Sequence, residues 1–274
     1  MTDLLPLMVT PFVACMVLVA MLAYLGVHVI AREVIFVDLA LAQMAALGST
    51  VALLFGVERG APAAYAFALA FTTVGAFIFA MTRTVSGQKR VPHEAIIGVT
   101  YIVASAAVIL VADKAPRGAE VLEETLVGSI LWITWAQVAK LAVIFAVVGA
   151  FHWFFRKRFL AISLEGDRAA NEGWNLRWWD FLFYLSFGLA ITAAVPVAGV
   201  LLVFTFLVVP AIIAFLFTRQ TRSLMLISWA TSAIASAAGL FISFKWDLPT
   251  GPVIVCTFGL VLLLAGIIRR AVPA

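Results

Sequence analysis

Asp38 and Gln43 are the residues most able to do chemistry, because of where they stand. They lie in FVDLALAQMAALG, residues 36–48, inside an apolar run long enough to cross a bilayer. A carboxylate at a span's centre costs about 2.5–3.5 kcal/mol on insertion scales, so intramembrane acids mark transport paths or have a structural partner. Lys140 is the other charged residue deep in an apolar run. Two roles for Asp38 stay open from the sequence: lining a polar path, or pairing with Lys140 or with backbone. On a helix Asp38 and Gln43, at i and i+5, are roughly 140° apart, so they face one ion only if the helix is distorted.

Other chemistries lack their residues. No G-x-x-x-x-G-K-[ST] occurs, so this chain has no phosphate-cradling loop for ATP. His93-Glu94 begins like H-E-x-x-H, but Ile97 stands at the second histidine position, and there is no G-x-S-x-G elbow. No nucleophile–base set is visible, and the chain reads as a non-enzyme. The three histidines, His28, His93 and His152, read as interfacial or capping groups. Cys15 and Cys256 lie in apolar runs without metal-site spacing and read as buried free thiols.

The elements that must position Asp38 are set by composition. Of 274 residues, 65% are hydrophobic and 12% charged, and the mean hydropathy is +1.13. That leaves too little charged surface for a soluble domain. Apolar runs recur along the whole length without the ten-residue alternation of a barrel, which predicts an all-α polytopic membrane protein. The first run is too long for a signal peptide and lacks a basic leader. Nine spans are expected, at residues 4–30, 34–57, 61–81, 95–112, 130–155, 178–195, 199–217, 224–244 and 253–268, with eight as the alternative. The choice turns on residues 181–217, 37 positions without a charge. As one helix they would be ~55 Å long against a hydrocarbon core of ~30 Å. Pro196-Val197-Ala198-Gly199 offers the break, acceptable only if protein covers the freed backbone groups.

With the N-terminus outside and the C-terminus inside, 13 of the 18 Lys and Arg residues fall in inner loops and four in outer loops, Lys140 lying within a span. That asymmetry obeys the positive-inside rule. The chain reads as one transmembrane domain, residues 1–274, with a long inner loop at about 156–178. In that loop Glu165 and Asp167 suit a helix start and Gly173 a helix stop. The outer loop at 113–129 carries Glu120, Glu123 and Glu124, which suit either cation attraction or a short interfacial helix. Asp247-Leu248-Pro249-Thr250-Gly251-Pro252 predicts a rigid turn between the last two spans. Two sets of small residues, Ala42, Ala45, Ala46, Ser49 and Ala52, then Ser228, Ser232, Ala235, Ser236 and Gly239, predict faces where helices approach closely.

Three segments taken together carry a family resemblance: AGVLLVFTFLVVPAIIAFLFT at 198–218, ISFKWDLPTGPVIV at 242–255, and FLAISLEGDRAANEGWN at 159–175. They resemble the permease subunits of zinc, manganese and iron-type metal ABC importers, with patterns near GvLLvsaLLiiPaatA, lSyxldlPsGP and lsfDpelAxalGin. TLVGSIL at 125–131 is similar to LFGdiL, and EAIIGVTYIVAS at 94–105 to taIGivfs. The resemblance implies a homodimeric permease in the bacterial cytoplasmic membrane. It would work with two cytoplasmic ATP-binding subunits and an extracytoplasmic solute-binding protein, ATP being bound only by the partner. Matched position by position, Glu165, Asp167, Ala169 and Gly173 would couple to the ATPase. Asp247, Pro249, Gly251 and Pro252 would form an outer gate or binding-protein contact, or simply a stiff connector.

The family's second span carries a D-x-x-x-H pair near DxlSHaalpG, assigned to the metal path. Aligned on Gly48, Gln43 stands at the histidine position, Leu39 at the acid position, and Asp38 one residue early; Ser129 replaces the acid of LFGdiL. The implied path residues are Asp38, Gln43 and Lys140, with Asp38 the candidate metal contact. A neutral amide is a poor ligand for a soft divalent ion, whereas a chelated metal needs only a polar path. Free ion and chelate both stay open. An ion-coupled secondary transporter using Asp38 and Lys140 is the alternative from another class.

Overall fold

The computed structural model describes residues 5–58, 60–83, 91–114, 128–164 and 173–271. Among the described residues nine α-helices follow in order: α1 Leu5–Ala31, α2 Val37–Leu54, α3 Pro62–Met81, α4 His93–Ala112, α5 Trp135–Phe154, α6 Arg156–Leu164, α7 Leu176–Phe217, α8 Thr221–Trp246 and α9 Thr250–Ala271. All but α6 are long and apolar enough to cross a membrane, so eight of the described helices are candidate spans. The count differs from the expected nine only at residues 176–217, where two helical segments meet at a kink and make one 42-residue element.

That element is nevertheless broken where expected. Gly199 has φ 74° and ψ 157°, a conformation essentially confined to glycine. The break releases the Val197 carbonyl, and the Ser129 N–H donates to it at 3.1 Å. The chain can come this close because Gly128, itself at φ 69°, has no Cβ to strike the Ala198–Gly199 backbone. The requirement that protein cover freed backbone groups is thus met by the segment just before α5.

Helix ends follow local chemistry. α2 closes in a Schellman motif: Gly56, at φ 73°, donates to Leu53 O at 3.0 Å, and Val57 N to Ala52 O at 3.1 Å. Pro62 opens α3 at its first turn, where a missing N–H costs nothing. α5 starts later than the apolar run suggested, at Trp135, because Thr134 and Gln137 form a capping box: Gln137 N donates to Thr134 Oγ1 (3.3 Å) and Thr134 N to Gln137 Oε1 (2.8 Å). Ile130–Trp132 form a 3₁₀ turn ahead of it. Asn175 caps α7, accepting from Trp178 N at 3.2 Å.

The chain divides into two compact units. One comprises Met1–Ile30, Leu126–Phe145 and Pro196–Ala274; the other comprises Ala31–Thr125 and Ala146–Val195. In the first, the small face of α8 is buried from Ser228 to Gly239, and Gly239 lies against Ile254 of α9, so that a Cβ there would sit 2.8 Å from its Cα. In the second, α2 packs on α3 and α4. A Cβ on Gly48 would lie 2.5 Å from Phe67 O of α3, so this glycine sets how closely the two helices approach. Thr72 of α3 meets Thr192 of α7, hydroxyl to hydroxyl, at 3.2 Å. Ala42, Ala45, Ala46 and Ala52 are buried as their spacing required.

Candidate functional site

α2 is buried almost all round, and its first turn holds Asp38. Asp38 is only 1% exposed, and its Oδ1 has no hydrogen-bond partner among the described residues. A second acid comes from another helix. Glu94, in the first turn of α4, accepts the Phe36 N–H through Oε1 at 2.9 Å, while its Oε2 is buried without a partner among the described residues. Phe36 immediately precedes α2, so two mutually repelling carboxyl groups gather at one helix N-terminus. Exposed backbone N–H groups and the positive end of the helix dipole favour negative charge there. The arrangement offers oxygen donors with unused lone pairs, Asp38 buried and Glu94 half-buried, able to hold a cation or a proton.

Sequence reasoning missed Glu94. The signal was present, since an acid in the first turn of an apolar run is unusual. In the sequence Glu94 figures in a failed protease motif and in the 94–105 resemblance, neither of which points to Asp38.

Gln43 is also buried, 8% exposed, one turn and a half further along α2. The helix between them is regular, so the roughly 140° separation of i and i+5 persists and the two side chains do not converge. Among the described residues no three or more of His, Cys, Asp or Glu are grouped to hold a metal. Lys140 is exposed on α5 and belongs to the other compact unit.

The inner-loop residues divide. Glu165, Asp167 and Ala169 lie outside the described residues, and Gly173 has the left-handed φ of 72°. Just before them α6 presents Arg156, Lys157 and Arg158 outward and drives Phe159, fully buried, into a cluster with Phe155, Trp179 and Phe183. Between α8 and α9, Asp247 adopts φ 50° and ψ 47°. Leu248 N then reaches back to Ser243 O at 3.0 Å, and the Ser243 and Thr250 hydroxyls meet at 2.9 Å. Asp247, Pro249 and Pro252 are exposed on this turn and Gly251 is buried.

One expectation is corrected. Cys256 is exposed on α9, not buried like Cys15, because α9 packs on one side only and the rest of a span is solvated by lipid. The three histidines stand at helix ends, as expected: His28 and His152 in the last turns of α1 and α5, and His93 at the first position of α4. His28 and His152 are each 1% exposed; His152 pairs with Ser186 Oγ at 2.8 Å and stacks on Phe159, and His93 Nε2 lies 3.3 Å from the Tyr184 hydroxyl.

A sequence profile of the ABC 3 transport family matches residues 5–269. A Haemophilus influenzae protein named "Probable iron transport system membrane protein" is 28% identical over 219 residues, 78% of this chain and 77% of that one. A Yersinia pestis protein named "Chelated iron transport system membrane protein YfeC" is 29% identical over 217 residues, 77% of this chain and 73% of its own length. Matches to chlamydial relatives are shorter, spanning about three-fifths of those proteins. The fold is similar to a chain in the structure of PsaBC from Streptococcus pneumoniae in complex with Fab: TM-score 0.77, 21% identity, 93% of this chain and 89% of that one.

Proposed function

The chain belongs to the ABC 3 transport family, and from that premise we propose that it is the transmembrane permease of an importer for divalent transition metal, carried free or as a chelate. It is a multi-pass protein of the bacterial cytoplasmic membrane, the membrane component of an ABC transporter for metals whose ATPase is a separate subunit. The single observation that carries the reading is the family match, which extends over nearly every span. It also sets aside the self-sufficient, ion-coupled alternative.

The finer assembly is our reading: two copies of this permease, two ATP-binding subunits and an extracytoplasmic binding protein. This chain itself binds no ATP, consistent with the missing phosphate loop. Metal passes close to Asp38. The buried, unsatisfied Asp38 and Glu94 oxygens supply negative potential along the path. Oxygen donors suit manganese better than zinc, and the lack of imidazole at position 43 leaves a chelate equally well served. The inner loop engages the ATPase through Glu165, Asp167, Ala169 and Gly173, and the Asp247–Pro252 turn faces the binding protein.

The test is reconstitution of the permease with the ATPase and binding protein encoded beside it. ATP-dependent uptake of radiolabelled Mn²⁺, Fe²⁺ or Zn²⁺, free or as a citrate chelate, is the expected result. Uptake driven by a proton or sodium gradient without the ATPase would overturn the proposal.

A further inference from the structure

Asp180 lies in the second turn of α7, and its side chain is only 2% exposed. Two guanidinium groups hold it from opposite sides. Arg32, in the α1–α2 turn, donates from Nη1 to Oδ1 at 2.8 Å. Arg83, just past the end of α3, donates from Nη1 to Oδ2 at 2.5 Å. Arg32 also donates from Nε to Ser163 Oγ, near the end of α6, at 2.7 Å, and its guanidinium lies 3.9 Å from the centre of the Phe183 ring. The buried carboxylate therefore ties together three elements, α7, the α1–α2 turn and the end of α3, and Arg32 adds α6, all within the same compact unit.

Stability alone is a poor explanation for this cluster. A buried ion pair is often no better than apolar side chains of the same volume, because desolvation offsets the attraction. What short, charge-assisted bonds to a planar guanidinium do provide is fixed geometry. Arg32 Nε and Nη1 reach different elements, so α6 cannot shift without moving either the α1–α2 turn or the start of α7. The Arg83 bond extends the linkage to the end of α3.

We propose that Asp180, clamped by Arg32 and Arg83 and joined to α6 through Ser163, is the joint that carries movement of the ATPase-docking segment into the spans. It rests on the reading that residues 156–178 dock the ATPase. The four side chains are positioning residues: they touch neither metal nor ATP, and they set how much transport each hydrolysis event produces.

The experiment uses the complete transporter in proteoliposomes and measures two rates, ATP hydrolysis and uptake of radiolabelled Mn²⁺, with their ratio as the readout. Asp180→Asn is expected to leave the ATPase bound and hydrolysing while uptake per ATP falls by about tenfold, 1.4 kcal/mol in coupling. Arg83→Lys should keep part of the ratio and Arg83→Gln lose it, because Arg83 makes a single charge-assisted bond to Asp180 that an ammonium can replace without the guanidinium's fixed plane. Ser163→Ala should lower the ratio severalfold with normal assembly. Should Asp180→Asn fail to assemble, the Arg83 and Ser163 variants decide. A wild-type ratio in Arg83→Gln and Ser163→Ala, or equal loss of both rates, means the cluster is only structural and overturns the proposal. Ala169→Trp tests the docking reading separately. An ATPase that binds and responds normally in that variant places the docking segment elsewhere, whatever the Asp180 ratio.

Discussion

Asp38 is expensive where it stands, and the carboxylate beside it raises the cost. Glu94 does double service. One oxygen accepts the Phe36 N–H ahead of α2, while the other is buried and unused. Substitutions can separate the two roles, since glutamine keeps an acceptor for Phe36 but loses the charge. Glu94→Gln should therefore assemble normally, while uptake falls several-fold. Asp38→Ala should lower uptake by about tenfold or more with the protein still inserted, as expected for an intramembrane acid on a path. Radiolabelled Mn²⁺ uptake in proteoliposomes, beside the yield of purified complex, reads both. Normal transport in Asp38→Ala would make that carboxylate structural. Gln43→His alone should change little, because residue 39 is leucine. Leu39→Asp combined with Gln43→His creates an i, i+4 pair on one face of α2, and free Zn²⁺ should then compete with Mn²⁺ uptake.

α7 shows what a single residue does to an element. Its 42 residues do not form one continuous helix because Gly199 turns the chain in a conformation other residues rarely adopt. Gly199→Ala should cost about 1–3 kcal/mol from backbone strain alone. The Val197 carbonyl would lose its well-placed partner as the break relaxes. A lower thermal midpoint for the detergent-purified protein is the expected measurement, with Gly128→Ala behaving similarly because its Cβ would meet the same backbone. A conservative change elsewhere on α7, such as Leu201→Val on an exposed position, should leave the midpoint near wild type. The α8–α9 turn is held differently, by Asp247 in the left-handed region and by Ser243, so its stiffness does not depend on its prolines alone.

For the molecule as a whole, the distribution of basic residues predicts an outside N-terminus and an inside C-terminus. Single cysteines at Thr2 and Ala274, introduced where Cys15 and Cys256 have been replaced, can be probed with an impermeant thiol reagent on intact cells. Labelling at 2 but not at 274 is expected, and the reverse would invert the topology. With this orientation, the α1–α2 turn, the end of α3, α6 and the start of α7 all lie on the ATP side. The Arg32–Asp180–Arg83 cluster would then be placed to receive motion from a cytoplasmic partner.

The sequence by itself determined the spans to within a few residues, the class of fold, and even the position of the break at Gly199. Each depends on neighbours within one or two turns: apolar runs, capping residues, prolines and glycines. It also carried the family through short motifs in a constant order. Only the tertiary structure decided which polar groups meet. Glu94 reaches the Phe36 N–H across 58 positions, Arg32 finds Asp180 across 148, and Ser129 satisfies Val197 across 68. Helices in a membrane present similar apolar faces to one another, so periodicity does not say which will be neighbours. Those choices come from close approach at small residues such as Gly48 and Gly188, and from buried polar groups that must find partners once water is gone. The i, i+5 offset of Asp38 and Gln43 was legible from helical geometry alone. That a carboxylate from another helix, Glu94, binds the backbone just ahead of Asp38 was not.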